Sequence, residues 1–214
     1  MLLLYCMAEA DAQAELPPRG VRGAAVEAVT RGDLACYFSR YDQFGGGSAE
    51  ELKRDALDFH WAIHHVFQQR AVIPFRFPAM LAEISTLEAF LDRHAPAYLA
   101  DLQRLRDLVQ MEVRLPPPVA EAVAATTSGT AYMKAKFDAA QKVVELENRV
   151  KSAAPGREWR QRAGRFFALI PRGEEAQFRE KIAALGEASL RVSGPWPPSE
   201  FVNCYPDVSL EQKQ

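Results

Sequence analysis

The chain has 214 residues, with 26 basic against 28 acidic side chains for a formal net charge of -2, and 48% hydrophobic and 25% charged residues. This is the make-up of a chain that buries a core, not of a disordered or fibrous one, and its length suits one large domain or two small ones. The near balance of charge lacks the basic excess that a phosphate backbone demands, so nucleic acid is not expected as a partner. Cys6, Cys36 and Cys204 are odd in number, far apart and outside any Cys-x-x-Cys pair, which fits a reducing compartment. The apolar opening stops at Glu9 and has no basic residue before it, unlike a secretory leader. No run approaches the roughly 20 apolar residues of a membrane helix, so a cytoplasmic location without a membrane partner is expected.

Leu2 to Met7 is a short apolar run without alternation, which fits a strand buried on both faces. Ala25 to Thr30 and Leu34 to Ser39 flank Arg31-Gly32-Asp33, whose glycine can take the positive φ of a tight turn, so a β-hairpin is predicted. The same triplet spells an integrin-recognition motif, for which the turn is the simpler account. Gly45-Gly46-Gly47 breaks the chain, and Ser48 with Glu51 forms a capping box. Leu52, Ala56, Phe59, Ile63, Val66 and Phe67 then mark the core face of a helix that runs to about Arg70.

Val72 to Pro78 is bounded by prolines that cannot donate to a ladder, which predicts a strand at an edge or end. On such a strand Arg76 points away from both Phe75 and Phe77. Two helices are predicted next, about Ala79 to His94 and Pro96 to Leu108, the second opening on a proline. Gln110 to Leu115 reads as a strand stopped by Pro116-Pro117-Pro118, and the domain junction falls near residue 110. A long helix from about Thr130 to Ser152, with cap candidates in Thr126-Thr127-Ser128, carries Met133, Phe137, Ala140 and Val144 beside Ala139, Val143, Leu146 and Val150. That wide apolar face suits a sheet or a partner helix. Arg165 to Ile170 is a strand, Glu174 to Leu185 a helix ended by Gly186, and Ala188 to Val192 a strand. The order strand, helix, strand, helix, strand points to a ferredoxin-like arrangement. The fold class is α+β, with an N-terminal α+β domain over 1–109, a second domain over 110–206 and a disordered tail over 207–214.

His60 and His64 lie four apart on a helix, about 40° apart around its axis, but His65 points about 100° further round, so three ligands cannot converge from this segment. Trp61 stands where a zinc protease carries its glutamate. Structural histidines are the better reading. There is no phosphate loop, dinucleotide fingerprint or nucleophile elbow, and Glu88 and Glu112 read as surface or ion-paired carboxylates. No catalytic, metal or cofactor residue is expected. Arg76 reads as a structural ion pair or as a charge offered to a partner. In Gly194-Pro195-Trp196-Pro197-Pro198 the prolines hold an extended backbone, and Trp196 either plugs a core or anchors a partner.

Taken in order, several segments resemble the GvpF/GvpL family of gas vesicle accessory proteins. They are the apolar first strand, Gly32-Asp33-Leu34-Ala35, His64-His65, Val72-Ile73-Pro74-Phe75-Arg76-Phe77, Glu112-Val113-Arg114-Leu115, Ser128-Gly129-Thr130-Ala131-Tyr132 with Lys134 and Lys136 near, and Ser193-Gly194-Pro195-Trp196-Pro197-Pro198. The resemblance implies that the second domain is a modified ferredoxin-like fold with extra helices. It also implies a non-enzymatic protein of the gas vesicle that binds the small hydrophobic shell protein and other gas vesicle accessory proteins, without a cofactor. The chain departs from the family after Phe77, where Pro78-Ala79 replaces Gly-Thr, and after Pro198, where Ser199-Glu200-Phe201 replaces Tyr-Ser-Phe. Arg76, Trp196, Pro197 and Pro198 are the candidates for partner contact. The competing readings are a ferredoxin-like module that senses a small molecule and a metal-dependent enzyme built on His60 and His64.

Overall fold

The computed structural model describes residues 1–115, 129–154, 156–162, 165–206 and 208. Pro116-Pro117-Pro118, Thr126-Thr127-Ser128 and all but Val208 of the expected tail lie outside the described residues. The chain is mixed α and β and forms two compact units, Met1–Leu108 with Trp196–Gln214, and Val109–Pro195.

The first unit is built on a five-stranded sheet in which β1 (Leu2–Glu9) is paired on both edges. The order is β2 (Glu27–Arg31), β3 (Leu34–Arg40), β1, β4 (Ile73–Pro74), and β5 (Met80–Leu81) also pairs with β1. The unbroken apolar run of β1 is thereby explained, because a strand with neighbours on both edges and cover on both faces has no solvent side to mark with polar residues. The β2–β3 hairpin turns at Gly32, with φ 55°, and pairs Arg31 with Leu34.

Tyr5 is the extra residue of a bulge in β1, since Leu4 pairs with Phe38 and Cys6 with Tyr37. The bulge sends the buried Tyr5 ring to within 5.3 Å of Phe59. Its hydroxyl accepts from the Val21 N–H at 3.0 Å and donates to Ser39 Oγ at 2.9 Å, and Ser39 in turn donates to the Ala25 carbonyl at 2.8 Å. Gly20 leaves room for this chain, because a Cβ there would lie 2.2 Å from the Tyr5 oxygen.

Helix α1 (Ala49–Gln69) starts on the expected capping box, with Ser48 and Glu51 exchanging both hydrogen bonds. Phe59, Ile63, Val66 and Phe67 are buried as the spacing predicts, but Leu52 is exposed and Asp55 holds a core position. The turn at 21–23 explains the exchange, for Arg22 donates to both Asp55 carboxylate oxygens at 2.6 to 3.1 Å.

Of the segment predicted as one strand over 72–78 only Ile73–Pro74, β4, is strand, and β5 follows beyond it at Met80–Leu81. Phe75 and Phe77 therefore do not share a face: Phe75 reaches Phe90 of α2 (Ile84–Arg104), and Phe77 reaches Phe59 of α1. Helix α2 replaces the two helices expected on either side of Pro96, which lies inside it. The missing N–H leaves the Asp92 carbonyl without its helical donor, but Pro96 and Asp92 are both exposed, where water can take that role.

Among the described residues the second unit has the element order β6 (Leu108–Arg114), α3 (Gly129–Ala153), β7 (Glu158–Arg162), β8 (Arg165–Pro171), α4 (Glu175–Ala183) and β9 (Arg191–Trp196). Its sheet order is β7-β8-β6-β9. This strand-helix-strand-strand-helix-strand succession is that of a split βαβ arrangement, and it contains one strand more than expected. Strand β7, Glu-Trp-Arg-Gln-Arg, lies at the sheet edge and carries charges in place of an apolar run. Glu112 is ion-paired, to Arg114 at 2.5 Å and Arg165 at 3.6 Å, and Glu88 of the first unit pairs with Arg31 at 2.9 Å. The wide apolar face expected of α3 divides: Val150 is buried and Val143 and Leu146 half-buried, whereas Met133, Phe137 and Val144 are exposed.

Removing the Tyr5 hydroxyl while keeping its ring should expose the hydrogen-bond chain as a stability element. Tyr5→Phe leaves the buried Val21 N–H without its acceptor and is expected to cost about 1–3 kcal/mol in urea unfolding. Combining it with Ser39→Ala should cost less than the sum of the two, because both break the same chain.

Candidate functional site

The last described stretch, from Trp196 on, closes the first unit. Phe201 and Val202 are buried, and behind them stands Asp101 of α2, 3% exposed. Its carboxylate accepts from the backbone N–H of Asn203 at 2.8 Å and of Cys204 at 3.1 Å, from the Asn203 side chain at 2.9 Å and from Arg104 at 2.9 Å. Arg104 also donates to the Phe201 carbonyl. Four donors around one carboxylate offset its loss of water and fix the segment.

This anchoring presents two groups. Trp196, half-buried, lies with its ring 5.2 Å from His60 of α1, edge to face. Tyr205 lies beneath the exposed Arg76, whose guanidinium carbon is 4.4 Å from the ring centre. Pro197 and Pro198 are buried. Gly194, in the second unit, has φ 120° and leaves no space for a side chain, since a Cβ would lie 2.8 Å from the Gln110 carbonyl.

Helix α1 supplies the rest of the surface. Leu57, His60, Trp61, His64 and Gln68 fall within about 100° of arc on one face. Leu57 and Trp61 are exposed, and Arg19 lies over the Trp61 ring at 5.5 Å. The His60 and His64 rings stack at 6.3 Å. Loss of hydration where Trp196 and His64 cover the otherwise exposed His60 ring, and then repulsion from His64, lower its pKa from the ordinary 6.5. The shift favours the neutral imidazole, and the face is rich in aromatic and apolar groups with Arg19 beside it.

Among the described residues no group of three or more His, Cys, Asp or Glu is placed to hold a metal ion. Cys6 and Cys36 are buried, and burial pushes both thiols far up, which removes them as nucleophiles. Also among the described residues, no helix is long and apolar enough to cross a membrane. Of the residues nominated by sequence, Arg76 and Trp196 both meet the closing segment or belong to it, while Asp101, Tyr205, Leu57 and Trp61 carry no local signal that would nominate them.

The family described as gas vesicle synthesis protein GvpL/GvpF matches residues 1–166. The chain belongs to this family. Among solved structures, the gas vesicle protein GvpF from Anabaena sp. PCC7120 is similar at a TM-score of 0.74 with 14% identity, over 95% of this chain and 96% of that one. GvpF from Microcystis aeruginosa is similar at 0.74 with 12% identity, over 95% and 99%. These identities carry the fold. A search of curated proteins finds no match. The family match ends before Trp196, whereas the structural likeness extends over nearly the whole chain.

Two measurements test the geometry. Asp101→Ala strands the N–H groups of Asn203 and Cys204 and is expected to cost about 3 kcal/mol in denaturant unfolding, with protease cleavage appearing within 199–206. For His60, an NMR titration should give a pKa below 6.5, moving part way back in His64→Gln. A depressed folded pKa means that the unfolded chain binds its proton first. The stabilising contribution of neutral His60 is therefore complete above the unfolded pKa and declines as pH falls below it. The melting temperature should fall less steeply below pH 6.5 in His60→Gln than in the wild type.

Proposed function

We propose that this chain is a gas vesicle accessory protein that works by binding, at the gas vesicle and in the cytoplasm, to the small hydrophobic shell protein and to other accessory proteins. The observation that carries the reading is membership of the GvpL/GvpF family over residues 1–166. The family is a structural one, not a family of enzymes. The two units serve as the two domains, with the segment from Trp196 returned to the first.

The docking surface in this reading is the outward face of α1 with Trp196 beside it. An aromatic patch in which the lowered pKa of His60 favours its neutral form suits an apolar partner, because covering that ring strips less water from a charge. Trp61, exposed, and Trp196, half-buried, are the large rigid anchors of such a surface. Arg76, held on Tyr205, supplies a cation at the same closing segment. Pro197 and Pro198 act indirectly, by fixing the backbone that carries Trp196.

Co-expression with a gas vesicle shell protein, followed by affinity purification of the tagged chain, tests the proposal. The shell protein or an accessory partner should co-elute, and Trp61→Ala and Trp196→Ala should each weaken capture about tenfold or more without unfolding the chain. Failure to retain either the shell protein or any accessory partner would sink the reading. Retention unchanged in both variants would move the docking surface elsewhere.

A further inference from the structure

Helix α3 exposes Tyr132, Met133, Phe137 and Val144, the last three at 64%, 64% and 54%. Met133, Phe137, Ala140 and Val144 are spaced four, three and four apart, so they draw one line along the helix within roughly 60° of arc. The buried contact of this helix comes from a different side, where Val150 is enclosed and Val143 and Leu146 half-enclosed. Single exposed apolar residues are ordinary, but a line three turns long marks an interaction surface.

The charges beside the line define what fits it. On a helical wheel Lys134 and Glu145 border one side, and Lys136 and Glu147 the other. On each side the base precedes the acid by eleven residues. A second copy lying antiparallel therefore sets Lys134 against Glu145 and Lys136 against Glu147, reciprocally in both chains. A parallel copy sets like charge against like. Glu147, half-buried, pairs with Lys151 at 2.5 Å through one carboxylate oxygen. Ala140, small and exposed, lies next to the centre of this pattern, where two helices would cross most closely.

We propose that the chain self-associates through this face of α3 as an antiparallel two-fold dimer, with Phe137 and Val144 packing around an axis near residue 140. A two-fold contact requires that one surface complement itself, and the base-then-acid pattern meets that requirement.

Light scattering on the full chain across a concentration series tests the proposal. A dimer is expected by concentrations on the order of 100 μM. Phe137→Ser should raise its dissociation constant at least about tenfold while the melting temperature stays unchanged, since that side chain is exposed. Lys134→Glu with Lys136→Glu, and separately Glu145→Lys with Glu147→Lys, should each give monomers, and mixing the two should restore a one-to-one dimer. In a Cys204→Ser background, which removes the exposed native thiol, Ala140→Cys should form an intermolecular disulfide. Met133→Cys should not, because antiparallel copies hold that position about 20 Å apart along the helix axis. A wild-type monomer at that concentration overturns the proposal. So does a dimer indifferent to Phe137→Ser, or a disulfide at position 133 without one at 140.

Discussion

Asp101 is a carboxylate shut away from water, and such a group is tolerable only when enough donors converge on it. Two of its donors are backbone N–H groups separated from it by about a hundred residues of chain. An acceptor in the last turn of α2 thereby becomes the fastening point for the end of the described chain. Phe201 can be fully buried because the residues after it are held, and Trp196 and Tyr205 occupy their places because they stand on either side of it. The surface proposed for docking thus depends on a contact that touches no partner.

The consequence for the fold is that the first compact unit is discontinuous in sequence. Residues 109–195 form a unit with its own sheet, and the chain then contributes Trp196 and the residues beyond it to the unit it left. Fixing both ends of an inserted unit to one scaffold costs little chain entropy when those ends are adjacent elements, because the loop-closure term grows only slowly with length. It also explains why the prolines around Trp196 suit their positions. Strand β9 lies at the edge of its sheet, where Pro195 removes no obligatory donor, and Pro197 and Pro198 stiffen the buried stretch of the first unit that follows Trp196.

What could be read from sequence divides along the same physical line. Strand β1, the Gly32 hairpin and the Ser48–Glu51 capping box are local, and their residues announce them within ten positions. Asp55 and Asp101 depend on partners 33 and about 102 positions away, and nothing near either residue marks it for the core. Strand β7 was hidden because an edge strand needs no apolar run, and α2 was split in two because Pro96 looks the same in a first turn as on an exposed flank farther in. The alternation expected at Phe75, Arg76 and Phe77 failed since the strand ends at Pro74, after which the side chains follow the connection and not a pleat. Arg76 and Trp196 were legible as unusual residues, but their anchors, Tyr205 and His60, were set by the tertiary fold.

The two exposed surfaces differ in physics, and that difference bears on how one small protein can hold two kinds of partner. On α1 the patch of Leu57, His60, Trp61 and Trp196 is close to uncharged at neutral pH, so its attraction is that of apolar area leaving water, which salt does not weaken. On α3 the apolar line is bordered by Lys134, Lys136, Glu145 and Glu147, and surface charges such as these act within a Debye length of about 8 Å at physiological salt. Charge there selects orientation and partner more than it adds affinity, for like-charge juxtaposition penalises the parallel arrangement. An aromatic face accepts any apolar surface of the right shape, whereas a face edged by ordered charges accepts its own reversed copy and rejects most others. Self-association and partner capture thus make different demands on what binds, because neither surface satisfies the requirements of the other.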